Sequence, residues 1–128
     1  MRKNLGFALS EVMIGTAFAT VFAVAGYPSY MDQVLKSRRA EAQALLVAIA
    51  EKQERVRAEK AVYAPDLASL GLEIPPALAR DYDITMSVGK GSVPTFSIVA
   101  TAAGGQRQDK CSFLGMNQDG VRLPFGCW

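Results

Sequence analysis

The chain has 128 residues, which allows one compact domain and little more. Its 14 Lys and Arg stand against 12 Asp and Glu, and setting aside Arg2 and Lys3 at the very start leaves 12 against 12, which argues against a general electrostatic nucleic-acid binder. There is no histidine, and the two cysteines, Cys111 and Cys127, form no CxxC pair, so neither a metal centre nor a cofactor is expected.

Residues 1–6 are short and basic. From Val12 to Met31 runs an uncharged, mostly apolar stretch of 20 residues. At about 1.5 Å per residue it reaches roughly 30 Å as a helix, the thickness of a bilayer core. Arg2 and Lys3 predict a cytoplasmic N-terminus and an extracytoplasmic remainder. A secretory signal also starts basic and apolar, but this run is long for one and no small-x-small site follows it. Hydropathy alone leaves a simple signal anchor equally open.

Glu11 decides between these readings. A carboxylate at the edge of an apolar run is either interfacial or functional, because burying it unpaired in lipid costs several kcal/mol. Its surroundings, Gly6-Phe7-Ala8-Leu9-Ser10-Glu11, resemble the prepilin signal of type IV pilins. Ala8 and Ser10 stand where that family usually has Thr and an apolar residue; the Gly, Phe and Glu positions match. The resemblance implies cleavage by a prepilin peptidase between Gly6 and Phe7, methylation of the new N-terminal Phe7, and Glu11 as the filament-assembly residue. Physically, Glu11 would meet the ammonium of Phe7 in its own or a neighbouring helix, and in a dry filament core that pairing would fix axial register.

Pro28 removes a backbone donor within the apolar segment. The family has a proline at this position, in a stretch that loosens on filament entry; a plain transmembrane kink gives the same sequence. From Asp32 to Lys60 the pattern turns amphipathic, with Val34, Leu35, Ala42, Leu45, Leu46, Ile49 and Val56 on one face. Arg38 and Arg39 lie on the charged face. A solvated surface, lipid headgroups, an acidic neighbouring subunit and DNA all remain open for them. Helix signals end near Tyr63, a loop with one short turn follows, and Pro75-Pro76 is expected to bar regular structure.

Strand patterns fill the rest. Tyr82–Val88 alternates with Tyr82, Ile84, Met86 and Val88 on one side. Gly89-Lys90-Gly91 reads as a turn, Thr95–Thr101 as a second strand broken by Gly104-Gly105, and Lys110–Met116 as a third. Asn117-Gln118-Asp119-Gly120 is a turn rather than a calcium loop, and Val121–Leu123 a short return strand. A helix followed by clustered strands predicts an α+β architecture. In it a long N-terminal helix, half transmembrane and half amphipathic, packs on a three- to four-stranded antiparallel sheet, the type IV pilin fold. The implied divisions are a leader at 1–6, a transmembrane and assembly helix at 7–31, an amphipathic half at 32–63, and loop plus sheet at 64–128. In an extracytoplasmic compartment Cys111 and Cys127 would form a disulfide, with 15 residues between them. Phe125 and Trp128 are expected to cap the core beside it rather than form an exposed aromatic contact.

Gly104-Gly105-Gln106, Asp109, Cys111, the Asn117–Gly120 turn and the terminal Gly126-Cys127-Trp128 together resemble minor pilins of the PilE type. The resemblance implies a minor subunit of a type IV pilus that supports assembly, adhesion and twitching motility. Its partners would be other pilins, met through the N-terminal helix, and it would sit in the inner membrane, domain in the periplasm, before reaching a surface pilus. A major pilin, a type II secretion pseudopilin and a DNA-uptake pilin are the alternatives. DNA is not indicated by net charge, and only the scattered Lys90, Arg107, Lys110 and Arg122 offer it contacts. No nucleophile–base pair, phosphate loop or paired carboxylate points to catalysis, and Asp81 and Asp83, on a strand edge with Tyr82 between them, read as a solvated turn rather than a site.

Overall fold

The computed structural model describes the backbone of residues 2–128 and the side chains of residues 28–128. Gly6, Phe7, Glu11 and the apolar run from Val12 as far as Tyr27 lie outside the described side chains. The chain divides into two units, Met1–Val34 and Leu35–Trp128. Helix α1, Arg2–Lys60, starts in the first and ends in the second. In the first unit Pro28 lies within the helix and is exposed, as is Tyr30. Among the described residues no helix is long and apolar enough to cross a membrane.

In the second unit α1 buries Leu35, Ala42, Leu46, Ile49, Ala50 and Gln53, a stripe at three-, four- and seven-residue spacing. Val34, Leu45 and Val56 flank it half-buried. Arg57 and Lys60 in the last turn suit the negative end of the helix dipole. The helix ends three residues before Tyr63, because Ala61 adopts a left-handed conformation at φ 62°. Its N–H closes on the Arg57 carbonyl at 2.7 Å. The reversal carries Tyr63 and Ala64 back into the core, where Tyr63 meets Phe96 edge-on with ring centroids 4.7 Å apart.

Gln53 makes this return possible. Its Oε1 accepts from the Ala64 N–H at 2.8 Å and its Nε2 donates to the Ala64 carbonyl at 3.0 Å. A polar side chain at the C-terminal end of the buried stripe thus satisfies a buried loop peptide that no ladder reaches.

A 3-10 turn at Ala68–Leu70 and a short helix α2, Pro76–Asp81, occupy the connection. The helix corrects the expectation that Pro75-Pro76 bars regular structure. Pro76 stands at its first position, where the missing N–H has no partner to lose and the fixed φ already suits a helix. Leu78 is the residue it buries.

Four antiparallel strands follow: β1 Tyr82–Val88, β2 Phe96–Ala102, β3 Phe113–Asn117 and β4 Arg122–Leu123, paired in sequence order. Tyr82, Ile84, Phe96, Ile98, Ala100 and Leu114 face the helix and are buried. The outer face carries Asp83, Thr85 and Ser87 from β1 and Ser97 and Thr101 from β2, all exposed. The third strand begins at Phe113, three residues later than its sequence pattern suggests. Residues 109–112 are held by the Asp109 side chain, the Cys111 disulfide and backbone hydrogen bonds from the Asp109 N–H to the Gln106 carbonyl and from the Ala102 N–H to the Ser112 carbonyl. The β3–β4 turn is built by Asn117, whose Oδ1 accepts from the N–H groups of Asp119 and Val121, with Gly120 at φ 76°.

Replacing Gln53 by Ala leaves the Ala64 peptide buried and unpaired. We expect a loss of about 2 kcal/mol in chemical denaturation. Replacing the exposed Glu59 by Ala should change stability by less than about 0.5 kcal/mol.

Candidate functional site

The residues of interest gather at the end of the second unit where the chain enters it. After β2, Gly104–Gln108 forms a 3-10 turn. Gly104 takes φ 54° and approaches the Arg80 carbonyl closely enough that a Cβ there would lie 3.2 Å from it. A side chain is therefore disfavoured both by conformation and by space.

Two side chains then reach inward. Gln106 is fully buried, and its Nε2 contacts the Leu35 carbonyl at 2.9 Å, the Tyr82 hydroxyl at 3.0 Å and Asp109 Oδ2 at 3.3 Å. Asp109 accepts a two-pronged hydrogen bond from the guanidinium of Arg39, whose Nε lies 2.8 Å from Oδ2. The side chains of this pair are 12 % and 3 % exposed. Burial alone would push the Asp109 carboxyl up. The hydrogen bonds and charge of Arg39, helped by the Cys111 N–H and Gln106, outweigh it and hold Asp109 below the usual carboxylate range. Burial also raises the Tyr82 phenol.

Cys111 follows, bonded to Cys127 with Cα atoms 6.0 Å apart. The Cys127 carbonyl accepts from Gln43 Nε2. Trp128 packs against the core, donates its indole N–H to the Leu123 carbonyl at 3.1 Å, and carries the Arg122 guanidinium 5.0 Å above its ring. Phe125 departs from the expected capping role and is 85 % exposed. It sits at the tip of the turn closed by the Cys127 N–H and the Pro124 carbonyl, where the disulfide draws Cys127 inward in its place.

Arg38 and Arg39, adjacent in sequence, have different fates. Arg39 is committed to Asp109, whereas Arg38 is partly exposed with Nε 3.6 Å from Asp81. Lys90, Arg107, Lys110 and Arg122 are all exposed. Arg107 and Lys110 share the loop after β2, while Lys90 follows β1 and lies at the opposite end of the sheet, so the four do not form one continuous stripe. Pro28 is exposed within α1. Gln106, Asp109 and Tyr82 carry the geometry here, yet hydrophobic periodicity marks only Tyr82. A pairing across 70 residues, Arg39 with Asp109, leaves no local signal. No group of His, Cys, Asp or Glu able to hold a metal occurs among the described residues.

Because the folded Asp109 titrates below its unfolded value, its stabilising contribution is complete above about pH 4 and is lost as pH falls through the folded value. Denaturation midpoints measured from pH 6 down to pH 2 should therefore fall in acid. The Asp109→Asn chain should start less stable and show a shallower acid slope.

Residues 28–115 match the family described as type IV minor pilin ComP, DNA uptake sequence receptor. The solved structure of a type IV pilin from Shewanella oneidensis superposes with a TM-score of 0.60 at 27% identity, covering 73% of this chain and 97% of that one. A search of curated protein sequences gives no match. The long helix, the four-stranded antiparallel sheet and the match over residues 28–115 place the chain in the family of type IV minor pilins.

Proposed function

We propose that the chain is a non-enzymatic subunit made as a prepilin and processed by a prepilin peptidase. Cleavage falls between Gly6 and Phe7, and Phe7 is then methylated. Residues 7–31 hold the subunit in the inner membrane with the sheet domain in the periplasm, and later enter the core of a surface pilus. Glu11 meets the ammonium of Phe7 on a neighbouring pilin and sets axial register, and Pro28 lets the helix adjust. Support for adhesion and twitching follows from filament assembly. The observation that carries the reading is the run Gly6 to Glu11 upstream of a domain matched to type IV minor pilins. Mass spectrometry of sheared surface filaments should find the chain starting at methylated Phe7, at a low ratio to other pilins. Glu11→Ala should deplete it from that fraction while leaving it in the envelope. An unprocessed N-terminus would sink this reading, and a processed chain confined to the envelope would point to a secretion pseudopilin.

A second reading, reception of DNA during uptake, is favoured by the description of the matched family and by the exposure of Lys90, Arg107, Lys110 and Arg122. The combined alanine substitution of these four should weaken duplex binding. It should also flatten the salt dependence by about one unit of log–log slope for each phosphate no longer neutralised. Unchanged binding and unchanged transformation would remove DNA from consideration.

A further inference from the structure

The loop after β2 alternates buried and exposed residues over a short span. Gln106, Asp109 and Cys111 point inward, and Arg107, Gln108 and Lys110 point out. The inward residues are tied to the Leu35 carbonyl, to Arg39 and to Cys127. The outward ones are thus mounted on a fixed support rather than on a free loop. Beside them lies Arg38, whose Nη1 is 3.7 Å from where a Cβ on Gly105 would sit. Arg80, whose carbonyl abuts Gly104, is exposed as well.

The segments that carry five cations, Arg38 and Arg39 on α1, Arg80 in α2, and Arg107 and Lys110 on the loop after β2, therefore adjoin here. Asp81 and Asp109 are ion-paired with Arg38 and Arg39. A net charge of three remains on Arg80, Arg107 and Lys110, which have no acidic partner among the described residues. A chain whose net charge is only +2 thus carries positive charge on segments that adjoin at one end.

The place of that end in the chain identifies its partner. Arg38 follows Met31, the last residue of the uncharged run, by seven residues. Tyr30, 65 % exposed, stands at the end of that run, where aromatic residues mark a membrane interface. We propose that Arg38, Arg80, Arg107 and Lys110 form an electrostatic footing for acidic phospholipid headgroups, which holds the sheet domain against the outer leaflet of the inner membrane before assembly. This inference rests on the reading of residues 12–31 as a membrane span. Each cation close to an anionic lipid surface strengthens its attraction by about fivefold, and the effect fades beyond a Debye length.

Trp128 is the single tryptophan of the chain and is joined through Cys127 to Cys111, next to Lys110. It makes a native reporter. The full-length chain is reconstituted in vesicles of phosphatidylcholine alone, or with about one third phosphatidylglycerol, each carrying a headgroup spin-label quencher. Flotation with the neutral vesicles tests the span separately, and failure there overturns the span and this inference with it. Given flotation, Trp128 quenching should rise severalfold with the anionic lipid and fall back with added salt. The combined Arg80→Gln, Arg107→Gln and Lys110→Gln chain, checked for an unchanged melting temperature, should quench equally in both vesicles. Quenching that ignores phosphatidylglycerol, or a variant that behaves as the parent, overturns the footing. Loss of duplex DNA binding in the variant with its lipid-dependent quenching intact would assign the cations to nucleic acid instead and equally overturn it.

Discussion

Three side-chain or backbone groups on one edge of α1, spaced four residues apart, hold the C-terminal third of the chain. The Leu35 carbonyl receives Gln106, the Arg39 guanidinium grips Asp109, and the Gln43 amide reaches the Cys127 carbonyl. Residues four apart on a helix stand one above the other, so these form a single row. The remaining features follow from that row. The loop after β2 cannot enter the ladder until it has delivered Gln106 and Asp109 to the helix, so β3 begins only at Phe113. Cys111 is then positioned to meet Cys127, and closing the 15-residue loop adds about 3 kcal/mol in the chain-entropy account. The apolar stripe beside the row, Ala42, Leu46 and Ile49, supplies the non-directional attraction. The polar row supplies the register.

Such a row also carries a penalty. Gln106 Nε2 has two protons for three neighbouring acceptors, and its Oε1 is buried without a hydrogen-bond partner among the described residues. An unmet buried carbonyl oxygen costs about 1–3 kcal/mol. A buried ion pair is itself weak evidence for stability, because desolvation cancels much of the Coulomb gain. Removing one partner is another matter, since Asp109 without Arg39 would be a lone charge in a nearly dry site. The network is better understood as a device that excludes other placements of the loop than as a source of net stability.

Much of this architecture is legible in the sequence, and the exceptions have identifiable causes. β1 is readable to its end residues because Tyr82–Val88 alternates without interruption. The Asn117–Gly120 turn is readable because its chemistry is local. The amphipathic stripe of α1 is readable by period, but Gln53 at its C-terminal end is not, since a single polar residue looks like a break until the Ala64 peptide is seen beside it. The helix at Pro76–Asp81 is hidden by a rule that reaches one residue too far: proline stops a helix from within and starts one at its first turn. The pairing of Arg39 with Asp109 has no local signature, although each residue is singled out in the sequence, and Phe125 reads as inward because neighbouring Cys127 and Trp128 are. For Gln53 and for the Arg39–Asp109 pair the deciding partner lies outside the local pattern.

The balance of charge teaches the same lesson about function. Counting 12 against 12 excludes a molecule whose whole surface attracts polyanions, but it says nothing about distances shorter than the roughly 10 Å over which salt screens. Within that range only local arrangement matters. Arg38 and Arg39 look like a ready contact site in the sequence, and folding commits them to Asp81 and Asp109. By absorbing the local acids, they leave Arg107 and Lys110 uncompensated on a loop that those same contacts immobilise. A fixed pair of cations loses less conformational freedom on meeting a phosphate than a mobile pair does, whether that phosphate belongs to a lipid or to a nucleic acid. The polar row that sets the fold therefore also prepares the surface that an anionic partner would meet.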